Sequence, residues 1–466
     1  MRYVSTRGDA PVLSFDEVLL AGLARDGGLY LPETWPRLTQ AQFKALAGKS
    51  YAEVAAAVLK PFVGGTIPDA ALEAMAAETY RGFGHPAVAP LKQLDADLFL
   101  QELFHGPTLA FKDYALQLVG RLFDHVLKAK HRRVTIVGAT SGDTGSAAIE
   151  ACRDRAAIDV FILHPKGRVT EVQRRQMTTV DAPNVHNIAL EGTFDDCQDL
   201  VKAMFNDTAF RDELQLSAVN SINWARVAAQ VVYYVTAALA LGAPARKVAF
   251  AVPTGNFGNV LSGYVAMQLG LPIEKFVIGS NRNDILSRLL ATGEMTTAPV
   301  EPSLSPSMDI QVSSNFERML FELCGRNGAT IQDMMRRFRK TGRLKLSATR
   351  HARLGKLFAG ARVDDEMTLA AIRRVFEQTG ETVDPHTAVG LEAVRLAGEG
   401  IAAPVVALAT AHPAKFPDAV QRATGERPLL PPRLADLYDR PERVSTLPNE
   451  LRAVQDFIRA RVRVFA

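Results

Sequence analysis

Cysteine and tryptophan are scarce in this chain, with three and two residues among 466. Cys152, Cys197 and Cys324 are far apart and odd in number, which argues against a disulfide framework and fits a reducing compartment. Neither they nor the nine histidines stand at metal-ligand spacing. Long apolar runs are also missing. The longest, near 231–241, carries Tyr233, Tyr234 and Thr236 and falls short of the roughly 20 residues a membrane span takes. The opening Met1-Arg2-Tyr3-Val4-Ser5-Thr6-Arg7 lacks the apolar core of a secretory signal, so the expected location is the cytoplasm. Outside a basic stretch near 326–365, no block of one charge sign occurs. The net charge of +4 is spread along the chain, too weak to argue for a nucleic-acid partner but compatible with a small anionic substrate. Internal repeats and low-complexity tracts are absent too.

What remains is an ordinary globular composition, 47 % hydrophobic and 22 % charged, in a chain long enough for two or three domains. Residues 1–90 are alanine-rich and read mainly as helices, for example 52–59 and 70–78, punctuated by Pro61, Gly64, Gly65 and Pro68. Gly82, Gly84 and Pro86 mark a boundary. Beyond it come short apolar, mostly β-branched runs at 98–103, 134–137, 160–163, 248–252, 276–278 and 405–408, with helical stretches between them. That alternation predicts βαβ units and a largely parallel sheet. The clearest helix is 224–241, where Trp224, Val227, Ala228, Val231, Val235 and Leu239 share one face. Expected domains are therefore 1–90, 91–245 and 246–466, the last with a basic helical insertion near 326–365 that reads as a solvated face.

Five segments carry chemistry. In His105-Gly106-Pro107-Thr108-Leu109-Ala110-Phe111-Lys112-Asp113 a lysine follows a glycine-proline turn beside aromatic and apolar neighbours, a setting that suits an amine acting as a nucleophile. Gly255, Asn256, Phe257, Gly258 and Asn259 join a strand to a helix and can cup a phosphate, or form a plain turn. A lysine of that kind together with a phosphate cup suggests pyridoxal phosphate. Gly138-Ala139-Thr140-Ser141-Gly142-Asp143-Thr144-Gly145 also joins strand to helix. It is one residue short of a nucleotide P-loop, and Asp143 stands where that motif needs lysine. It suits a carboxylate pocket built from Thr140, Ser141, Thr144 and backbone amides, or simple helix capping by Ser141 or Asp143. Asn220-Ser221-Ile222-Asn223-Trp224-Ala225-Arg226 places Arg226 in a first helical turn, against the positive end of the dipole. An anion between the arginine and the amides resolves that conflict, as does a salt bridge elsewhere. Thr410 follows the last strand, at the kind of strand end where α/β proteins bind ligands, and its hydroxyl can bond a pyridine nitrogen without protonating it.

Taken together, HGPTLAFKD (105–113), ATSGDTGSAA (139–148), NSINWAR (220–226), PTGNFGN (253–259), SPSMDI (305–310), SSNFER (313–318) and TAHPAKFP (410–417) resemble the threonine synthases, in order and over nearly the whole chain. YVSTRG (3–8) and DGGLYLPE (26–33) are similar to the N-terminal domain of that family's longer-chain branch. The resemblance implies the fold shared with tryptophan synthase β: two open, mostly parallel sheets flanked by helices, with a mainly helical N-terminal domain. It implies a pyridoxal-5′-phosphate enzyme, active as monomer or homodimer, that converts O-phospho-L-homoserine and water to L-threonine and phosphate. By motif, Lys112 is the Schiff-base lysine; Gly255, Asn256, Phe257, Gly258 and Asn259 bind the cofactor phosphate, and Thr410 faces its pyridine nitrogen. Thr140, Ser141 and Thr144 hold the substrate carboxylate side; Ser221, Asn223 and Arg226 hold the substrate phosphate. Asp143 departs from other branches, which carry asparagine there near the cofactor's 3′-oxygen. A carboxylate beside a phenolate is repulsive unless it turns away or shares a proton. Its place in the pocket is expected, its contact is not. The rival readings are a pyridoxal-phosphate dehydratase of serine or threonine, for which Arg226 has no purpose, and a non-enzymatic relative that keeps the fold.

Overall fold

A computed structural model of the chain describes residues 1–217 and 221–463. In chain order its strands are β1 (Tyr3–Ser5), β2 (Tyr30–Pro32), β3 (Leu91–Asp95), β4 (Leu98–Glu102), β5 (Val134–Ala139), β6 (Ile158–Pro165), β7 (Val185–Glu191), β8 (Leu216–Ser217), β9 (Val248–Pro253), β10 (Ile273–Ser280), β11 (Glu294–Thr296), β12 (Arg343–Lys345), β13 (Phe358–Arg362), β14 (Val405–Ala409) and β15 (Ser445–Pro448). The chain divides into two compact units, Met1–His105 with Ser221–Pro428, and Gly106–Asn220 with Leu429–Ala466.

The larger unit is built on a six-stranded sheet in the order β13-β10-β9-β14-β4-β3, parallel except for the edge strand β3. Central strands β9 and β14 are buried at every position, as expected when helices cover both faces of a parallel sheet. Their apolar sequences, VAFAVP and VVALA, leave no polar face to solvate. The helix Pro385–Ala397 packs on β9, β10, β13 and β14, and the helix Trp224–Ala240 packs on the helix Gly258–Leu269. The N-terminal segment contributes the pair β1–β2 and the helices Phe15–Ala21, Gln40–Leu46, Tyr51–Val63 and Asp69–Arg81. It is anchored by Trp224, a fully buried indole ringed by Tyr3, Trp35 and Phe62 whose Nε1 donates to Tyr3 Oη at 3.2 Å.

The smaller unit holds a five-stranded, all-parallel sheet in the order β15-β7-β6-β5-β8. One core joins Val137, Phe161, Leu163, Ile188 and Leu190 to Leu200, Met204, Val454 and Ile458 from helices. All three cysteines are free, and burial pushes the thiols of Cys152 and Cys197 up to about 12.

The fold class is as expected, but two boundaries differ. Residues 91–105 lie with the larger unit, because β4 pairs in parallel with β14 some three hundred residues on, and so does the helix Trp224–Ala240. The expected cut near 245 therefore falls inside one unit. Nor is 326–365 wholly an insertion: its helices Gly328–Thr341 and Ala348–Leu357 are largely exposed, but β13 is the edge strand of the main sheet. Among the described residues, no helix is long and apolar enough to cross a membrane.

Candidate active site

The turn before Lys112 is closed by its neighbour. The Thr108 backbone N–H and Oγ1 both donate to the Asp113 carboxylate at 2.8 Å. A Cβ on Gly106 would lie 2.3 Å from Asp113 Cβ, so only glycine lets the chain come this near. Leu109 is left-handed at φ 60°, and Arg433 Nη2 donates to the Gly106 carbonyl at 2.6 Å. These constraints start the helix Lys112–Ala129 at Lys112, whose side chain is buried. Its Nζ lies 3.3 Å from Asp143 Oδ2 and 5.7 Å from the Phe111 ring centre.

Asp143 opens the helix Asp143–Cys152 at the C-terminal end of β5. Its other oxygen, Oδ1, accepts from Gln173 Nε2 at 2.9 Å. Gly142 makes this approach feasible. Its φ of 140° is open only to glycine, and a Cβ would sit 2.4 Å from the Gln173 side chain. Gln173 is a site residue that the sequence reading missed. Its signal was the capping box Thr170-x-x-Gln173, which reads as a helix start and nothing more. Thr140 Oγ1 accepts from the backbone N–H of Gly142 at 3.0 Å and of Gly145 at 2.8 Å, so its acceptor capacity braces its own loop. Neither Ser141 nor Asp143 caps the helix: the cap position is Gly142, with no side-chain bond. The Ser141 and Thr144 hydroxyls take no partner among the described residues.

In the larger unit, β9 runs out at Pro253 into the glycine-asparagine turn. Phe257 adopts the left-handed conformation at φ 66°, ψ 1°, a strain of about 1–3 kcal/mol that persists because its ring is locked against Phe316 and Phe358. Asn256 Oδ1 accepts the Gly258 N–H at 2.9 Å. The N–H groups of Asn256 and Phe257 donate to no described residue, and the helix Gly258–Leu269 has no side-chain cap. Successive free amides at an uncapped helix start form an anion cup. Asn259 contributes differently from its neighbours: its Oδ1 accepts from Tyr233 Oη at 2.6 Å and Tyr234 Oη at 2.9 Å, while its Nδ2 is buried without a partner among the described residues.

The segment that begins the helix Trp224–Ala240 separates its residues by task. Asn223 Oδ1 caps the helix through the Ala225 N–H at 3.0 Å, and its Nδ2 donates to the Leu19 carbonyl at 2.9 Å. Asn220 lies outside the described residues. Arg226 is 4 % exposed, and its Nε and Nη1 have no partner among the described residues. Burial pulls its pKa down to about 10. A salt bridge, the alternative to an anion, is absent for Arg226 among the described residues. Thr410, at the end of β14, is buried; its N–H donates to Thr387 Oγ1 at 3.3 Å, and Thr387 Oγ1 in turn donates to Asp384. Among the described residues no group of three or more His, Cys, Asp or Glu side chains is placed to hold a metal.

Three family models match the chain in order: threonine synthase N terminus at residues 2–80, pyridoxal-phosphate dependent enzyme at 85–411 and threonine synthase, C-terminal, at 387–458. The threonine synthase of Pseudomonas aeruginosa is 55 % identical over 459 residues, 98 % of each chain, and that of Saccharomyces cerevisiae 40 % identical over 494 residues, 97 % of this chain and 95 % of the yeast protein. Among solved structures, the pyridoxal-phosphate-bound threonine synthase from Brucella melitensis is similar at a TM-score of 0.98 and 55 % identity, covering 100 % of both chains. A yeast threonine synthase structure is similar at a TM-score of 0.94 and 38 % identity, covering 99 % of this chain and 98 % of the other. The chain belongs to the threonine synthase family of pyridoxal-phosphate-dependent enzymes.

Proposed function

We propose that this chain converts O-phospho-L-homoserine and water to L-threonine and phosphate, using pyridoxal 5′-phosphate. The observation that carries the substrate is Arg226, a buried guanidinium with two unpartnered nitrogens at a helix N-terminus. A buried charge without a partner is costly, and a phosphate monoester supplies the missing anionic partner. A dehydratase of unphosphorylated serine or threonine leaves Arg226 with nothing to do. Its burial therefore favours the phosphorylated substrate.

The residues present suit the cofactor. Lys112 offers a buried primary amine for its aldehyde carbon, the Asn256 and Phe257 amides with the helix start behind them suit its phosphate, and the Thr410 hydroxyl suits its pyridine nitrogen. When bound, pyridoxal phosphate supplies an electron sink that acidifies the hydrogens on the substrate's carbons. The protein's share is positioning and proton movement. Ser141, Thr144 and the uncapped amides of the helix Asp143–Cys152 hold the substrate carboxylate, with Thr140 bracing their loop. Arg226, with Ser221, holds the γ-phosphate and balances its charge as it leaves. Lys112 Nζ would carry protons at the substrate's Cα, Cβ and Cγ, as phosphate leaves Cγ and water adds at Cβ. Asp143 stays beside that amine and steadies its protonated form. Asn223 and Asn259 serve by holding the helix start and the cup in shape. The scarce, free thiols support a cytoplasmic setting.

The decisive experiment incubates the purified protein, loaded with cofactor, with O-phospho-L-homoserine and measures released phosphate and L-threonine together. Equimolar products are expected. Turnover of threonine to a keto acid, with none of the phosphorylated substrate, would replace this reading with the dehydratase one.

A further inference from the structure

The segment Ser313-Ser314-Asn315-Phe316-Glu317-Arg318 has no part in the chemistry above, yet it touches both anion-binding turns of the larger unit. Ser313 Oγ donates to the Gly255 carbonyl at 2.9 Å, and the Asn315 N–H to the Asn256 carbonyl at 3.0 Å. Asn315 Nδ2 donates to the Ser221 carbonyl at 3.1 Å, and Arg318 Nη2 to the Ile222 carbonyl at 2.6 Å. Arg318 closes the set by donating through Nη1 to Asn315 Oδ1 and through Nε to the Tyr30 carbonyl at 2.9 Å. It is 1 % exposed, burial lowers its pKa to about 9, and it lies over the Trp224 ring.

A peptide group is planar and trans, so its C=O and the next residue's N–H point opposite ways. Four consecutive-pair peptides therefore have their carbonyls pulled toward 313–318 and their amides, those of Asn256, Phe257, Ile222 and Asn223, turned away from it. The Asn256, Phe257 and Asn223 amides donate to no described residue. Satisfying a carbonyl on one side is how a protein fixes an N–H dipole on the other, before any anion arrives.

We propose that Ser313, Asn315 and Arg318 are positioning residues that aim the backbone amides of the two phosphate-binding turns, Ser313 chiefly at the cofactor's phosphate and Asn315 and Arg318 chiefly at the substrate's. This rests on assigning the turn at Ser221 to the substrate phosphate, and it goes beyond that assignment by naming what gives the turn its selectivity for a phosphate monoester. The division of labour follows from side-chain reach. Ser313 bonds only the Gly255 carbonyl. The side chains of Asn315 and Arg318 bond the Ser221 and Ile222 carbonyls, while the Asn256 carbonyl is held by a backbone N–H that no side-chain replacement removes.

The test uses the full-length holoenzyme and its Ser313→Ala, Asn315→Ala and Arg318→Lys variants. Cofactor affinity is read from the absorbance of the lysine-bound form, substrate recognition from KM and kcat, and phosphate recognition from titration with inorganic phosphate. Asn315→Ala and Arg318→Lys should raise KM and the phosphate dissociation constant about ten- to a hundredfold, as loss of a hydrogen bond tied to a charged ligand does, and change kcat and cofactor affinity by less than about threefold. Ser313→Ala should show the reverse, with weaker cofactor binding and phosphate titration within about threefold of wild type. Should all three merely lower the melting temperature with both affinities intact, or should the two patterns swap, the proposal is wrong. If Arg318→Lys fails to fold, Asn315→Ala decides. Should wild type fail to turn over O-phospho-L-homoserine, the functional reading falls, and the phosphate titration still judges the positioning role.

Discussion

Gln173 Nε2 donates to Asp143 Oδ1 at 2.9 Å, on the same carboxylate whose Oδ2 stands 3.3 Å from Lys112 Nζ. The sequence named no contact for the carboxylate at residue 143, and here it has these two. The carboxylate is pinned at one oxygen by a neutral amide and at the other by the amine. Gln173→Leu frees the first oxygen while leaving the Lys112 contact in reach. The expected result is a fall in kcat of about tenfold, with cofactor content retained, because a hydrogen bond to a carboxylate is worth roughly 1.5 kcal/mol and the amine loses a fixed partner. Single-turnover kinetics on the cofactor-loaded variant would check it. An unchanged kcat would show that Gln173 serves only its capping box.

Gly142→Ala should be worse than Gln173→Leu. It forces a side chain into φ 140° and into the space of Gln173 at 2.4 Å. The turn must shift, with a cost of about 1–3 kcal/mol in backbone strain alone. Loss of activity in Gly142→Ala but not in Gly167→Ala, at a glycine with nothing within 4 Å of an added Cβ, would tie the effect to crowding at this site.

Arg226 links binding to stability. Burial draws its pKa from its ordinary value down to about 10, a displacement worth on the order of 3 kcal/mol against the folded state. Between those values the unfolded chain holds a proton that the folded chain has released, so stability rises with pH through that window. Below about 10 both states are protonated and the full cost is present. An anion relieves it. Inorganic phosphate should therefore raise the melting temperature of wild type at pH 8 and leave Arg226→Gln unmoved. In phosphate-free buffer the variant should be the more stable of the two. Phosphate binding to wild type should weaken above about pH 10, as the guanidinium loses its charge. Calorimetric titration across that range measures the effect directly.

Phe257 should report on the turn proposed above to hold the cofactor's phosphate. Replacing this 1 %-exposed ring by alanine leaves a void between Phe316 and Phe358 and costs about 3–5 kcal/mol. It also removes the packing that sustains a left-handed residue. Cofactor release, followed by absorbance on dilution, should accelerate in Phe257→Ala and less so in Phe257→Leu. Equal release rates in the two variants would mean that the ring has no part in shaping the turn.

The strands that carry the site were legible because they are buried on both faces. Runs such as VAFAVP and VVALA can do little else, and the expected 134–137, 160–163, 248–252 and 405–408 each fall inside an observed strand. The strands missed are edge strands or polar ones: β7 reads VHNIALE, and β13 reads FAGAR, with a single large apolar residue. Short sequences of that kind are fixed by their sheet neighbours and not by their own pattern. At the site, residue type was readable but allegiance was not. Thr140, Asn223 and Asn259 are polar residues in ligand-like turns. Their hydroxyl or carboxamides bond the backbone of their own loop, the Leu19 carbonyl or a tyrosine pair, partners that only the folded chain brings near. Arg226 was the exception, because a cation at a helix N-terminus is a local contradiction visible in one dimension.

Arg7 meets Glu317 through paired bonds at 3.0 and 2.9 Å, and Thr6 Oγ1 meets the same carboxylate at 2.6 Å, across separations of 310 and 311 residues. Arg318, the next residue, holds the Tyr30 carbonyl. During synthesis β1 and β2 can pair with each other, but Thr6, Arg7 and Tyr30 meet these partners only when about two thirds of the chain has left the ribosome. The amino-terminal helices cannot settle early and stand apart as an accessory. They are tied to the same segment that holds the carbonyls of both turns, so loosening the amino terminus would loosen the grip on those carbonyls as well.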